Sequence, residues 1–422
     1  MNGWDKEYLL NKDEYTKLFD ATMQREQETN IEFLEKSLSN LLNRKVVAVA
    51  NGTDALHFSL LSLGIGKGDE VLTTNFSWIS TASCISMVGA VPVFCDIDLN
   101  TYHMSLDSIK KMWSPKVKAI IYPHLFGSMS DTDQIKEFCK SKNIYFIEDA
   151  CQSIGSSYNG KKAGTIGDIS TLSFNANKVI SGIAGGGAIV TDGDVEVFKK
   201  LRKHGNNEML GYNSKMLLFN AEVINYRLKK LDEYIKGRQE VAKQYDEELK
   251  DYVTIQSSKG NNLNHNYHKY VIRLQNKQIR DKLKEKLGAK VHYENPISEN
   301  KMYNNIEHRK DTTYASKLVS DTILSLPIHP YMEKSEVNKI INTILIVLEQ
   351  ENGKFVNNMQ KVIGDDLFDK SLINETTEDI YDYIVEKTYQ WPEYIEEVEF
   401  KDKRKLKIAF NKFYENITAN TK

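Results

Sequence analysis

One lysine stands in unusual company. In the stretch Ser173–Gly187, SFNANKVISGIAGGG, Lys178 lies among serine, asparagines and apolar residues and has no acid beside it. A surface lysine needs no such setting. A flanking carboxylate would hold the amine as ammonium, whereas desolvation lowers its pKa and favours the neutral, nucleophilic form. The chemistry such an amine offers is a covalent bond to an aldehyde. Other residues bear on the same chemistry. Asp149 ends the apolar run in YFIEDACQS. NGTD (Asn51–Asp54) follows another apolar run and opens a helical pattern. The backbone N–H groups of such a turn, with the Thr53 hydroxyl, can hold an anion at the helix N-terminus. Trp78, in NFSWIS, offers a flat aromatic face. Singly, each has an ordinary structural explanation, since strand–helix turns often contain Gly and Thr and an Asp can cap the segment after it. Together they meet the needs of pyridoxal phosphate: an amine for the aldehyde, a carboxylate to keep the ring nitrogen protonated, a helix N-terminus for the phosphate and an aromatic face for the ring.

These groups meet only if particular elements carry them. KVVAVA, DEVLTTNF, VPVFCDI, VKAIIYPHLFG and NIYFIEDA read as buried strands. Helical segments separate several of them. In TDALHFSLLSLG, Leu56, Leu60 and Leu63 share a face, Thr53 or Asp54 can cap, and Gly64 ends the helix. TDQIKEFCKSK precedes the strand after Asn143. The alternation predicts an α/β fold, a mostly parallel sheet sandwiched by helices, with ligands beyond the carboxyl ends of the strands. DISTLSFNA and GGAIVTDG add strands on either side of Lys178. The glycines at 185–187 let backbone pass close to the site, make a tight hairpin turn, or do both. EVINYRLKKLDEYIKGRQEVAKQYDEEL predicts one long helix over 222–249, bridging to a smaller α+β domain with HKYVIRLQ and ILSLPIHP as strands. The division is 1–235 for the large domain, 236–352 for the small one and 353–422 for a helical C-terminal extension. In that extension Leu406, Phe410, Phe413 and Ile417 form one apolar helix face.

Composition narrows the function classes. Lys+Arg total 56 against Asp+Glu 58 in 422 residues, a net charge of -2. That balance gives no reason to expect a nucleic-acid or membrane surface, and an anionic ligand must be held by local groups. Apolar runs such as ILIVL are too short to span a bilayer, and the polar start MNGWDKEYLLNKDEY is unlike a signal peptide, so a cytoplasmic protein is expected. Cys84, Cys95, Cys139 and Cys151 show no CxxC spacing and no accompanying His cluster. They read as small buried thiols, with no metal site and no disulfide framework.

The chain also resembles the DegT/DnrJ/StrS family of sugar aminotransferases, which have the fold type I pyridoxal-phosphate architecture. The stretches that carry the resemblance include NGTDALHFSLLSLGIGKGDEVLTTNFSWISTAS, GAVPVFCDID, AIIYPHLFG, IEDACQSIGSSYNGKKAGTIGDISTLSFNANK, GGGAIVTD, LRKHG and GYNSKM, with a weaker match at LSLPIHPYM. The resemblance implies that Lys178 is the Schiff-base lysine, Asp149 the partner of the ring nitrogen, and Gln152 the polar residue beside the ring hydroxyl. It implies phosphate contacts at Gly52, Thr53 and Ser173, ring stacking by Trp78, and an Asn213 that reaches the phosphate in the partner subunit of a homodimer with shared active sites. It further implies L-glutamate as donor, a nucleotide-linked keto-sugar as acceptor and ping-pong kinetics. FNANK resembles the FNGNK form often seen in enzymes that aminate C4, which points to a 4-keto-6-deoxy sugar; amination at C3 is the alternative.

The chain departs from the family pattern in places. Lys215 stands where the family usually has Arg, and Lys lacks the planar fork. The segment before Asn40 lacks the family's glycine-containing loop, and the tail from about residue 353 passes the family's usual end. A related sugar dehydratase carries His in place of the lysine, which Lys178 argues against. A cysteine desulfurase needs a nucleophilic Cys on a mobile glycine-rich loop, and no cysteine here lies in one. A non-catalytic sensor or scaffold would show loss of Lys178 or Asp149. His124 and His204 lie in family-like motifs without an assigned role, and His292 in VHYENP can face substrate.

Overall fold

The computed structural model describes residues 3–23, 29–257 and 262–363. Helices α1 (Gly3–Leu10), α2 (Lys12–Met23) and α3 (Thr29–Leu42) precede the first strand. Strands and helices then alternate: β1 (Lys45–Val49), α4 (Gly52–Ser62), β2 (Glu70–Thr74), α5 (Ser80–Met87), β3 (Val91–Cys95), α6 (Leu106–Met112), β4 (Val117–Pro123), α7 (Asp133–Lys142) and β5 (Tyr145–Asp149). A short ribbon, β6 (Ser157–Tyr158) and β7 (Lys161–Lys162), leads to β8 (Ile169–Ser173) and β9 (Gly187–Thr191). Helices α8 (Glu196–Leu201), α9 (Leu218–Leu228) and α10 (Leu231–Leu249) follow. The rest comprises β10 (Thr254–Ile255), β11 (Leu263–Asn264), β12 (Tyr270–Arg273), α11 (Lys277–Leu287), β13 (Arg309–Lys310), α12 (Tyr314–Thr322), β14 (Ile323–Leu326) and α13 (Lys334–Ile363).

The main sheet has eight strands in the order β1-β9-β8-β5-β4-β2-β3-β13. Only β9 runs against its neighbours, β1 and β8. The ends of β1, β2, β4, β5 and β8 and the start of β9 therefore share one edge. Side chains alternate between two apolar layers, as a sheet covered on both faces requires. Ile120 and Tyr122 of β4 join a cluster with Leu34, Leu38 and Leu42 of α3, whereas Ala119 and Ile121 join Leu56, Leu60 and Ile85 of α4 and α5.

Local chemistry explains how the elements begin and end. Asn51, not Thr53 or Asp54, caps α4: its side chain accepts the Asp54 N–H at 2.8 Å. That leaves the Thr53 hydroxyl free to donate to Ser80 Oγ at 2.8 Å. Gly64, at φ 67°, ends the helix in a left-handed turn. The stretch read as one helix over 222–249 is two. Lys230 N–H returns to Arg227 O at 2.9 Å to close α9, and Lys230 O starts α10 by accepting from Tyr234 N–H at 3.0 Å. The buried Glu7 ties α1 to both, accepting from Tyr234 OH at 2.7 Å and Arg227 Nη2 at 2.9 Å. HKYVIRLQ and ILSLPIHP supply β12 and β14, which pair antiparallel beside β10 in a small sheet.

The first compact unit ends at Thr343, within α13. The apolar positions Leu406, Phe410, Phe413 and Ile417 lie outside the described residues. Among the described residues no helix is long and apolar enough to cross a membrane.

Candidate active site

Lys178 lies on the segment between β8 and β9. Those strands pair from Ile169↔Thr191 to Ser173↔Gly187, so 174–186 is a broad loop and not a tight hairpin turn. Phe174 N–H bonds Gly186 O and Gly182 N–H bonds Phe174 O, both at 2.8 Å, and these bonds close the loop's base. Lys178 N–H bonds Asn175 O at 2.8 Å. The side chain is half-buried. Burial lowers its pKa, while the negative charge of the nearby Asp149 opposes that shift. Among the described residues no hydrogen bond or ion pair holds its amine, so the nitrogen is available to react.

The glycine run works by close approach. A Cβ at Gly187 would lie 2.4 Å from the carbonyl carbon and oxygen of Asn51 and 2.7 Å from Gly52 N. Only a bare backbone lets β9 start against the turn that opens α4. Gly187→Ala should destabilise the fold by about 1–3 kcal/mol and weaken cofactor retention, read as a lower melting temperature and as cofactor lost on dilution.

Asp149 ends β5, a neighbour of β8. Its carboxylate is fixed from two sides: Thr81 Oγ1 donates to Oδ2 at 2.9 Å and Cys151 N–H to Oδ1 at 3.2 Å. Thr81 is itself placed by Ser77, with the hydroxyls 3.0 Å apart. Its negative charge is near enough to raise the pKa of Lys178 against the lowering by burial.

The start of α4 packs closely against the end of β8 and the turn after β5. A Cβ at Gly52 would sit 2.9 Å from Ser173 Cβ and 3.2 Å from both Ser173 Oγ and Cys151 Sγ. The first turn of α4 presents backbone N–H groups with no acceptor inside the helix. Gly52, Thr53 and Ser173 are thus brought together. Ala50 N–H bonds Ser214 O at 2.9 Å, and Ser214 Oγ donates to Asp54 Oδ2 at 2.6 Å. These bonds pin the segment that carries Asn213 to the same turn, but Asn213 itself stands exposed, as does Lys215.

Gln152 follows Asp149 closely in the chain. Its Oε1 accepts the Phe126 N–H at 2.9 Å, and its Nε2 donates to Tyr293 OH at 3.2 Å. The Tyr293 ring lies 6.3 Å from that of Trp78 and 5.7 Å from that of Phe76. Trp78 remains 58% exposed, an open aromatic face rather than a packed one. Tyr293 is the site residue that sequence reasoning missed; its signal was its place beside His292 in VHYENP. His292 Nδ1 lies 2.8 Å from Ser325 Oγ, and burial, then Lys269, Lys290 and Lys178, push its pKa down to about 3.

Other residues are structural. Burial, then Asp149, pushes the Cys151 thiol well above its ordinary range, which keeps it protonated and a poor nucleophile. Cys84, Cys95 and Cys139 are buried and unpaired. His124 Nε2 lies 3.0 Å from the fully buried Glu148, which also accepts from Ser170 Oγ at 2.7 Å and from the N–H groups of Gly164 and Ile166 at 2.8 Å. Burial alone would raise the Glu148 pKa, but these donors win and hold it at about 2, against 4.5 for a free carboxyl. A depressed carboxyl pKa contributes stability that is present above the unfolded value and lost as pH falls through the folded one. The wild type should therefore weaken from about pH 4.5 toward 2. Glu148→Gln should lose about 3 kcal/mol or more at pH 7, because several donors then face an amide; its stability should also vary less across that acid range. Chemical denaturation at a series of pH values checks both.

The residues fit pyridoxal phosphate: an unpartnered amine, a fixed carboxylate coupled to it, and a glycine-opened helix N-terminus. Comparison with known proteins agrees. A profile of the DegT/DnrJ/EryC1/StrS aminotransferase family matches residues 11–345. A UDP-2-acetamido-2-deoxy-3-oxo-D-glucuronate aminotransferase of Pseudomonas aeruginosa is 33% identical over 319 residues, 73% of this chain and 88% of the relative. The crystal structure of a DegT/DnrJ/EryC1/StrS aminotransferase from Brucella abortus superposes with a TM-score of 0.75 at 28% identity, covering 81% of this chain and 97% of that one. NtdA of Bacillus subtilis, solved with its bound cofactor PMP, superposes with a TM-score of 0.71 at 26% identity, covering 80% and 82%. The chain belongs to the DegT/DnrJ/EryC1/StrS aminotransferase family and is a pyridoxal-phosphate-dependent sugar aminotransferase of fold type I.

Proposed function

We propose that the enzyme moves an amino group from L-glutamate to a nucleotide-linked keto-sugar in two half-reactions, as a cytoplasmic homodimer serving amino-sugar and polysaccharide synthesis. One observation carries the reading: the half-buried Lys178 amine has no partner among the described residues, and Asp149, whose charge acts on it, is fixed by Thr81 and the Cys151 N–H. In this reading Lys178 binds the cofactor aldehyde at rest and yields to the donor amine. Its freed nitrogen then carries a proton from the donor's α-carbon to the cofactor's C4′ carbon. Asp149 keeps the proton on the ring nitrogen. Bound pyridoxal phosphate supplies the electron sink for the charge that builds at the reacting carbon. Gln152 would lie beside the ring hydroxyl, Trp78 would cover the ring face, and Gly52, Thr53 and Ser173 would hold the phosphate. Water would release the donor as its keto acid; in the second half-reaction the keto-sugar would take the amine with loss of water, and Lys178 would move the proton back from C4′ to the sugar carbon.

Support for the dimer comes from apolar surface next to the α4 turn. Leu210 is 93% and Leu217 62% exposed, on either side of Asn213. A covering subunit explains such a patch and brings Asn213 to the partner's phosphate. Four cysteines without a disulfide suit a cytoplasmic setting. For the sugar, FNANK supports a 4-keto-6-deoxy substrate. A second reading, amination at C3, is favoured by the 3-oxo sugar in the name of the Pseudomonas relative. The experiment is to add L-glutamate alone, then a panel of nucleotide-linked 3-keto and 4-keto sugars, and follow cofactor absorbance. The reading requires a spectral change with glutamate alone, reversed by a keto-sugar; the sugar that reverses it fixes the carbon. No change with glutamate would reject that donor.

A further inference from the structure

The loop that carries Lys178 has two limbs. In the first, Lys178 N–H turns back to Asn175 O, and the next residues, Val179 and Ile180, are buried in the core. The second limb returns to β9 with its side chains outward: Ile183 is 47% exposed and Ala184 is exposed as well. Such side chains give that limb little apolar anchorage. A single amide holds it instead. Asn220, on α9 and only 4% exposed, accepts the N–H groups of both Ile183 and Ala184 at its Oδ1, each at 3.1 Å. An amide oxygen has two lone pairs and so can serve two donors. Gly182 permits the approach, because a Cβ there would lie 3.0 Å from Asn220 Cγ and Oδ1 and 2.5 Å from Gly185 O.

The clamp stands on a firm element. Ala221, Val223 and Ile224, the next residues on α9, are buried. Helices α2 and α3 pack along it, with the rings of Phe19 and Phe219 5.5 Å apart. A group carried by a helix is placed more precisely than one carried by a loop alone. Lys178 needs that precision. Its amine bonds the cofactor at rest and later carries a proton, so the backbone of the loop is the fixed point from which the side chain moves. A misplacement of about 1 Å at reacting groups costs about a hundredfold in rate.

We propose that Asn220 is a positioning residue for the lysine chemistry: its side-chain oxygen clamps the second limb of the loop to α9 and so holds the backbone from which the Lys178 amine meets the cofactor aldehyde. The inference rests on Lys178 being the cofactor lysine, and the test separates the two claims.

Full-length enzyme stripped of cofactor is mixed with pyridoxal phosphate, and the band of the linked cofactor is followed by stopped flow. Wild type is compared with three variants. Asn220→Leu fills the space and removes the acceptor, Asn220→Asp keeps the acceptor, and Leu283→Ala is a destabilised control at a buried position of α11. Borohydride should fix the cofactor on Lys178 of the wild type; fixation on another lysine would overturn both claims. In N220L the limiting rate of band formation should fall at least about tenfold, with the pyridoxal phosphate concentration at half that rate within about twofold of wild type, because the phosphate contacts are untouched. N220D should restore the rate, and L283A should keep it despite a lower melting temperature. In wild-type holoenzyme the amides of Ile183 and Ala184 should exchange slowly with deuterium, and in N220L rapidly. A wild-type limiting rate in N220L, an equal slowing in L283A, or rapid exchange of both amides in the wild type would overturn the positioning role alone. So would an N220D as slow as N220L, which would make the effect one of packing. Should N220L not fold, Asn220→Ser, too short to reach both N–H groups, must show the same slowing, and a wild-type rate in it would reject the proposal.

Discussion

Lys178→Ala should lose turnover by about a thousandfold or more and should lack the absorbance of a cofactor bound covalently to the chain. Two separate deficits combine. Asp149 and Cys151, which approach Lys178, carry no amine to make the resting bond in its place or then to move the proton at the reacting carbon. Phosphate binding should survive, because Gly52, Thr53 and Ser173 do not depend on the lysine; the variant should still retain cofactor, in a form that dialysis removes more readily. Lys178→Arg should be as inactive, since a guanidinium stays protonated and forms no such bond. That variant separates nucleophilicity from charge. A Lys178→Ala protein with wild-type turnover would place the chemistry elsewhere.

Asp149→Asn should reduce transfer by about a hundred- to a thousandfold while leaving the fold intact. The amide can still accept from Thr81 or from the Cys151 N–H, so the loss is one of charge. Without the carboxylate the ring nitrogen is no longer kept protonated, and charge at the reacting carbon is less well stabilised. A second effect has a defined sign. In the apoenzyme Asp149 raises the pKa of Lys178, which burial lowers. Removing the negative charge lowers it further, so cofactor rebinding through Lys178 should persist to lower pH in the variant than in the wild type. Stopped-flow rebinding across a pH series measures this. An unchanged profile together with unchanged turnover would remove Asp149 from the site.

Much of the site could be read from the chain because its parts end neighbouring strands. Asp149 and Ser173 close apolar runs, and NGTD follows another, so the parallel sheet brings them to one edge. Other features had no local signature. Asn51, Thr53 and Asp54 are all good caps, and only the place where β1 stops selects Asn51. No glycine or proline marks the break between α9 and α10. The two-residue β13 is too short to show a period, yet it extends the sheet beside β3. Tyr293 reaches Gln152 through a long-range contact, from a segment with no pattern that points there. The lysine's own surroundings were only half legible. Its sequence neighbours are uncharged, but Asp149 and Cys151 approach from β5 and the turn after it.

The most direct measurement is chemical trapping. Holoenzyme reduced with borohydride, digested and sequenced by mass spectrometry should carry the cofactor on the peptide that contains Lys178, and on Lys178 itself. Cofactor fixed to another lysine, such as Lys269, or no fixed cofactor from a protein that shows the visible band, would contradict the account.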